Sequence, residues 1–163
     1  MTVEVTFCLY INKDLCLGES DINDDFDSHR AGLIANTNNY GNVIIRSVGQ
    51  PEIYIDDEVW ATVNNLCLGS IPALLAGEAV VVGYLRYNGE VTLTPKDHQI
   101  QISGDFISTS LIESRELLPA LLDCGRRYIQ FLHRFDGSDV DYVDIIKHLD
   151  TQFEIASQAL NAT

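Results

Sequence analysis

The stretch that most constrains the fold is residues 77–107, GEAVVVGYLRYNGEVTLTPKDHQIQISGDFI. Its short apolar runs alternate with turn residues, which is typical of consecutive antiparallel strands. Residues 80–87 place apolar side chains on both faces, and this predicts an interior strand covered on both sides of the sheet. Asn88 and Gly89 suit a two-residue type I′ turn, because both residues tolerate positive φ.

The second half of this stretch predicts the return strands. Residues 91–94 and 99–102 alternate polar with apolar side chains, as half-buried strands do. Pro95 has no N–H to donate, so it should end a strand or lie at a sheet edge. Phe106 and Ile107 close the apolar run. We therefore predict an antiparallel meander as the centre of the fold.

The segments before the meander supply more strands and an irregular region. Apolar side chains alternate through residues 3–11, which predicts a half-buried strand. A further strand is predicted at residues 43–48, and residues 52–55 form either another strand or its continuation. Residues 13–30 fit neither the helical nor the strand period, so we predict a loop or a short broken element there. Ile22 and Phe26 would contact the core from this segment.

Helices are predicted on both sides of the meander. Asp56 or Asp57 can cap a short helix that stops near Gly69. Apolar residues at helical spacing predict a longer helix over residues 117–135, with Pro119 in its first turn. A final helix has a box-like cap at residues 138–141. The short link between the last two helices predicts an antiparallel hairpin. The fold class is therefore α+β, mainly an antiparallel sheet with a C-terminal helical hairpin, in a single domain covering residues 1–163.

The termini and the cysteines indicate the compartment. The first ten residues alternate polar with apolar side chains and have no basic segment, unlike a secretory signal. No apolar run approaches the roughly 18 residues that span a bilayer. The four cysteines form no C-x-x-C pair and lie in apolar segments, so we expect buried free thiols. These features predict a soluble, cytoplasmic protein.

Charge is the unusual quantity of this chain. Twenty-four acidic residues against ten basic ones give a formal net charge of −14, beyond the magnitude of about 2–8 typical of a small soluble domain. Such a field repels nucleic acid and anionic membranes and attracts basic partners. Acidity also serves solubility alone, but the acids of this chain are clustered, so we expect a basic protein partner, and neither nucleic acid nor membrane.

Motifs for catalysis or cofactors are missing from the sequence. The acidic run 21–27 resembles a calcium loop, but Phe26 and Gly32 stand where an EF-hand needs glycine and glutamate. No phosphate-binding glycine loop, nucleophile elbow or zinc spacing occurs. We expect no cofactor, no metal and no enzymatic activity. An acid/base pair among Asp105, Glu113 and Glu116 stays open as the enzyme alternative.

Four aromatic residues leave a further choice open. They could line a ligand pocket, although aromatic side chains at strand and helix spacing are more typical of a core. The residues are Trp60, Tyr84, Tyr87 and Phe106.

In size, acidity and layout the chain resembles bacterial toxin-immunity proteins of contact-dependent inhibition and related polymorphic toxin systems. This resemblance covers the general build of the chain and includes no diagnostic motif or residue correspondence. It implies an inhibitor that binds a cognate basic toxin domain, often a nuclease, and blocks its nucleic-acid-binding surface. Another interaction module or subunit, and an enzyme without a readable motif, are the alternatives.

Clusters of acidic residues are the candidate partner-binding surfaces. The first is Glu19, Asp21, Asp24, Asp25 and Asp27, with Phe26 as an apolar anchor. The second is Glu52, Asp56, Asp57 and Glu58. A third cluster is Asp136, Asp139, Asp141 and Asp144. Acids at a helix start also complement the helix dipole, so the second and third clusters have a competing structural explanation. An exposed sheet edge that recruits a partner strand is the alternative binding mode.

Overall fold

Two four-stranded antiparallel sheets organise this chain, which confirms the α+β class, and the second sheet is a meander in which consecutive strands lie side by side. The computed structural model describes residues 2–36, 39–136 and 142–163. The first sheet has the order β2-β1-β3-β4, with β1 (Val3–Asn12), β2 (Leu15–Gly18), β3 (Tyr40–Ser47) and β4 (Ile53–Glu58). The second sheet has the order β5-β6-β7-β8, with β5 (Val80–Gly83), β6 (Glu90–Lys96), β7 (Gln99–Gly104) and β8 (Ser110–Glu113).

Helices occupy the connections between strands and the C-terminal third of the chain. They are α1 (Glu19–Asp24), α2 (Phe26–Ala35), α3 (Val59–Thr62), a π-helical segment (Val63–Leu68), α4 (Ser70–Leu75), α5 (Ser114–His133) and α6 (Val143–Asn161). The helix α5 packs on β1 and on the π-helical segment, and α6 packs on α4 and α5. None of the described helices is long and apolar enough to span a membrane.

The alternation in β1 produces the main core contact. Val5, Phe7 and Leu9 are each only 1% exposed. The ring of Phe7 meets that of Tyr128 on α5 edge to face, with 5.2 Å between centroids. Close pairing in this sheet also needs Gly41 on β3, since a Cβ there would lie 1.9 Å from the Cys8 carbonyl oxygen. The predicted N-terminal strand is confirmed.

The prediction of an interior strand over residues 80–87 is wrong. β5 ends at Gly83 and lies at the edge of the second sheet, where Val81 is 57% exposed. A six-residue loop, 84–89, joins it to β6. The type I′ turn at Asn88 is also wrong, because the non-glycine residues of positive φ in the described ranges are Asn39, Asp97 and Phe106. Residues 80–87 have apolar side chains on both faces, but several of these side chains are exposed to solvent, so the pattern does not mean that both faces are covered.

The rest of the second sheet follows the sequence more closely. β6 and β7 are the predicted return strands, joined by two residues, 97–98. Pro95 lies in β6, and Leu93 is the last residue of β6 that pairs with β5. Pro95 therefore needs no N–H to donate to β5, because that side of β6 has no partner strand at this position. Phe106 lies in a turn, and the fourth strand, β8, lacks the alternation that would have revealed it.

Of the two alternatives predicted for the acidic segment 13–30, the loop is wrong, and the segment consists of short, interrupted regular elements. It contains β2, α1 and the first half of α2. Ile22 is 0% exposed and Phe26 is 5% exposed, so both contact the core as expected. Only these two apolar residues are buried between Gly18 and Ser28, because the remaining surface of the two short helices faces solvent. The apolar pattern is therefore too sparse to reveal a helical period.

Two helix starts differ from their predictions. Asp56 and Asp57 lie in β4, and the cap of α3 is Glu58, whose side chain makes no capping hydrogen bond. The helix α5 begins at Ser114, directly after β8, so Pro119 lies inside it and not in its first turn. Residues 138–141, with the predicted cap and Asp139, lie outside the described residues. The C-terminal pair of helices is present, and α5 contacts α6.

Candidate protein-binding surface

Four aromatic side chains and one carboxylate line a cleft of about 340 Å³ where the two sheets meet. We define the aromatic patch as Tyr54, Tyr84, Tyr87 and Phe106, and the carboxylate is that of Asp56. Tyr54 comes from the edge strand β4, while the other three come from loops at one end of the second sheet. The exposed fractions are 49% for Tyr54, 40% for Tyr87 and 76% for Phe106.

Three rings of the aromatic patch pack on one another. The centroids of Tyr84 and Tyr87 are 6.1 Å apart, those of Tyr84 and Phe106 are 5.8 Å apart, and those of Tyr87 and Phe106 are 6.0 Å apart. These separations and tilted planes are the geometry that aromatic quadrupoles favour. The rings therefore support one another as a preformed apolar surface.

Phe106 has a strained backbone. Its φ is +67°, a left-handed conformation that a bulky side chain rarely adopts. Asp105 holds the turn in place: its N–H donates to the Glu90 carbonyl (3.0 Å), and its carbonyl accepts from the Tyr84 hydroxyl (2.8 Å). Its carboxylate accepts from the Glu90 N–H at 2.9 Å. Strain of this kind costs about 1–3 kcal/mol and is found most often at functional sites.

Asp57 anchors the neighbouring loop, 84–89. Its side chain is buried in β4, with the residue 3% exposed. The two carboxylate oxygens accept hydrogen bonds from the backbone N–H groups of Leu85 (2.7 Å) and Arg86 (3.1 Å). This acid was predicted as a helix cap or as a surface contact. It is neither, because burial and two backbone donors commit it to fixing the loop that carries Tyr84 and Tyr87.

Asp56 lies at the rim of the cleft. Its Oδ2 accepts from the Tyr87 hydroxyl at 3.3 Å, and its Oδ1 is 3.6 Å from Arg86 Nη1. That Oδ1 is buried and has no hydrogen-bond partner among the described residues. The Arg86 guanidinium stacks over the rings of Tyr40 (4.1 Å) and Tyr87 (5.5 Å). One cation of the chain itself thus already contacts the aromatic patch.

The other acids of the second predicted cluster are also engaged. Glu52 accepts a hydrogen bond from the Tyr54 hydroxyl and another from Arg46 Nε at 3.2 Å. The Tyr54 bond, followed by the charge of Arg46, lowers the pKa of Glu52 below its usual value. Glu58 accepts from Trp60 Nε1 at 2.8 Å. Glu52 and Asp56 therefore border the aromatic patch, and Asp57 holds the loop that carries Tyr84 and Tyr87.

The first predicted cluster divides into exposed and buried members. Asp21, Asp24 and Asp27 are exposed. Asp25 is exposed too, but it caps α2 by accepting hydrogen bonds from the Ser28 N–H (3.4 Å) and hydroxyl (2.5 Å). Those contacts lower its pKa. These four acids form a solvated rim along α1 and α2, and their proposed contact with a partner stays a prediction.

Glu19 and Phe26 are withdrawn from the surface. Glu19 pairs with Arg127 on α5, and its side chain is only 11% exposed. Phe26 packs against Phe135 with 5.2 Å between ring centroids, and the Arg134 guanidinium covers it at 4.1 Å. Phe26 is therefore a core residue and cannot serve as an apolar anchor for a partner.

The choice between a ligand pocket and a core is resolved differently for each aromatic residue. Tyr84, Tyr87 and Phe106 come together at the cleft, whereas Trp60 is partly buried and does not line it. Tyr54 was missed. Its sequence signal is the alternation in β4, which places it opposite the buried Ile53 and Ile55 and thus outside the core.

The carboxylates considered for acid/base chemistry lie on three different segments, with Glu116 in the first turn of α5. Asp105 belongs to the turn beside the aromatic patch, while Glu113 ends β8 and accepts from Gln99 Nε2 at 2.9 Å. Within the described part of the chain, no group of three or more His, Cys, Asp or Glu side chains is placed to hold a metal ion.

The fold and site together define an α+β protein with a preformed aromatic cleft bordered by carboxylates. Comparisons with protein-family models, with curated proteins and with solved structures found no match for this chain.

Proposed function

We propose that this chain is a binding protein that docks a basic polypeptide on its aromatic patch. As the resemblance to toxin-immunity proteins implies, the partner would be a basic toxin domain whose nucleic-acid-binding surface becomes blocked. The observation that carries the proposal is Phe106, which is 76% exposed at a strained φ. A conformation that costs stability and exposes a large apolar ring is explained by a contact that the ring makes with something else.

The patch has the composition of an interface centre. A few buried aromatic residues supply most of the binding free energy in protein complexes, typically about 2 kcal/mol or more each when truncated to alanine. Tyr87 and Phe106 are held by ring contacts and by the hydrogen bonds of Asp57 and Asp105. Such preorganisation lowers the entropy cost of binding.

The charge of the surrounding surface selects the partner. A toxin that acts on nucleic acid presents Lys and Arg side chains to phosphates. Such side chains can stack on tyrosine faces, as Arg86 already does on Tyr87, and can pair with Glu52 and Asp56 at the rim. The net charge of −14 accelerates encounter with a cationic domain.

The test is co-expression with a panel of basic nuclease toxin domains, scored by growth rescue and by a stoichiometric complex whose affinity falls with salt. Phe106→Ala and Tyr87→Ala should each weaken that complex at least tenfold, since each removes a central ring. Ile155→Ala is the matched control, because Ile155 is 47% exposed on α6 and outside the aromatic patch. A complex that tolerates both aromatic substitutions as well as it tolerates the control would refute the assigned surface.

The edge of the second sheet is the second candidate surface. β5 offers four residues on an open edge, with Val81 57% exposed, and an extended partner segment could add a strand there. Replacing Val81 with proline removes a backbone donor from this edge strand without touching the aromatic patch. Loss of the complex in Val81→Pro, with Phe106→Ala still binding, would favour strand addition.

A further inference from the structure

Two cysteines touch on the face of the first sheet that points away from the core. Cys8 lies on β1 and Cys16 on β2, with their Sγ atoms 2.7 Å apart. The register pairs Cys8 with Gly18 and Tyr10 with Cys16, so the two cysteines are diagonal neighbours across the strand pair. The sequence places them eight residues apart with no recognisable motif, and only the strand pairing brings them together.

The surroundings of this pair are polar and partly open. Asn42 Nδ2 lies 3.6 Å from Cys8 Sγ and 4.0 Å from Cys16 Sγ. Cys16 is partly exposed, and its strand β2 is a four-residue edge strand. The other two cysteines, Cys67 and Cys124, also contact each other, but both are 0% exposed. Cys8 is 7% exposed, so the Cys8–Cys16 pair is open to solvent at Cys16, whereas the Cys67–Cys124 pair is enclosed.

The two thiols of the Cys8–Cys16 pair differ in acidity. The hydrogen bond from the Cys16 thiol lowers the pKa of Cys8 to about 7, and this contribution, with that of Asn42, exceeds the opposing effect of burial. The same bond raises the pKa of Cys16, which keeps the shared proton. Cys8 is thus the thiol of the pair that ionises more readily, and the thiolate is the form that attacks disulfides. Burial and the contact with Cys124 raise the pKa of Cys67 instead.

We infer that Cys8 and Cys16 form a dithiol site that reacts with low-molecular-weight disulfides and closes into an intramolecular disulfide. The Cys8 thiolate attacks one sulfur of the small disulfide, a mixed disulfide forms on Cys8, and one small thiolate leaves and takes a proton. Cys16 then loses its proton and attacks Cys8 Sγ, which expels the second small thiol. The small disulfide is reduced to two thiols, and the two cysteines are oxidised by two electrons.

The geometry favours the second step. A disulfide bond is about 2.05 Å long, so sulfurs already 2.7 Å apart need only a few tenths of an ångström each to reach it. The short strand β2 lies at the sheet edge and pairs with β1, so a shift of this size at β2 leaves the pairing of β3 with β4 in place. The attacking sulfur is therefore present at high effective concentration, and the mixed disulfide should be short-lived.

The test treats the full chain with oxidised glutathione at pH 7, followed by acid quenching, alkylation and peptide mass spectrometry. In the unsubstituted chain we expect a Cys8–Cys16 disulfide, with less than a tenth of the molecules carrying glutathione. Cys16→Ser should accumulate glutathione on Cys8. Cys8→Ser should react at least tenfold more slowly, because it removes the thiol of lowered pKa and leaves Cys16, whose pKa burial still raises. Cys67 and Cys124 serve as internal controls that should stay reduced while the chain is folded.

Three results would overturn the inference. They are stable glutathione on Cys8 in the unsubstituted chain, equal reaction rates of Cys8→Ser and Cys16→Ser, and oxidation of the Cys67–Cys124 pair as fast as the Cys8–Cys16 pair. Circular dichroism of both serine variants establishes that they are folded. Each variant exchanges one sulfur for one oxygen, so a shared fold makes any difference in rate a property of the thiols.

Discussion

Replacing the buried Asp57 with asparagine is the sharpest test of how the aromatic patch is held. The change keeps the size and shape of the side chain but exchanges one carboxylate oxygen for an NH₂ donor. In the native chain both oxygens accept from backbone N–H groups, those of Leu85 and Arg86. In Asp57→Asn, one of these N–H groups faces another donor, and the second loses its charged acceptor.

The expected loss follows from these two hydrogen bonds. A hydrogen bond to a charged group contributes about 1.5–3 kcal/mol, and an unsatisfied buried donor costs about 1–3 kcal/mol. Asp57→Asn loses the charge from both bonds and leaves one donor unpaired. We expect the free energy that holds loop 84–89 in place to fall by about 2–4 kcal/mol. For a chain of this size such a loss, if it acts on global unfolding, lowers Tm by about 5–12 °C.

Hydrogen exchange distinguishes a loosened loop from a destabilised protein. The amides of Leu85 and Arg86 should exchange about 30- to 1000-fold faster in Asp57→Asn, since every 1.4 kcal/mol is a factor of ten. Amides of the core strand β1 should change no more than the global stability measured by urea unfolding. Partner binding should weaken in the same variant, because Tyr87 belongs to the released loop.

Asp150→Asn is the matched control, as it makes the same chemical change at an exposed position on α6. Surface substitutions of this kind usually stay within about 0.5 kcal/mol. Unchanged exchange at Leu85 and Arg86 in Asp57→Asn would refute the claim that this carboxylate anchors the loop.

Three further outcomes are expected. Phe106→Asn should raise the urea-derived free energy of unfolding by about 1 kcal/mol, because asparagine tolerates the φ of +67°. The same substitution should weaken the complex with a basic partner. A lower free energy of unfolding would show that the Phe106 ring is needed for the fold. Gly41→Ala should lower the free energy of unfolding by about 3 kcal/mol or more, since its Cβ would lie 1.9 Å from the Cys8 carbonyl oxygen. The control Gly83→Ala has open space around it and should lower the free energy of unfolding by less than about 1 kcal/mol in the same assay. Alkylation of Cys8 by iodoacetamide should rise with pH through a midpoint near 7, as the thiolate forms above that pKa, and a midpoint near 8.5 would contradict the proton sharing with Cys16.

Local periodicity was sufficient for the elements whose burial is one-sided. The apolar residues of β1 recur at every second position because one face meets α5, and the stripe on α6 is visible because one helix face meets α4 and α5. The prediction of an interior strand at residues 80–87 was wrong for the opposite reason. A sequence pattern registers that a side chain is apolar but not whether it is covered, so exposed Leu85 and Tyr87 resembled core residues.

The acidic residues show a second limit of sequence reasoning. Their positions along the chain are evident, but their partners are distant: Glu19 pairs with Arg127, 108 residues away, and Asp57 binds N–H groups 28 and 29 residues away. A cluster of acids in the sequence therefore contains both side chains exposed to solvent and side chains whose contacts stabilise the fold. Only the three-dimensional structure separates Asp56 at the cleft rim from its buried neighbour Asp57.

The thiol pair and the aromatic cleft are linked by one strand residue. In the register of the first sheet, Asn42 lies opposite Cys8 on one side and opposite Asp56 on the other. Its amide contacts both sulfurs, so closing the disulfide changes the acceptors that fix this side chain beside the cleft. If the dithiol site and the binding surface both act as proposed, oxidation should alter the affinity for a basic partner in the unsubstituted chain but not in Asn42→Ala. An equal effect of oxidation on the two proteins would show that the two sites are independent.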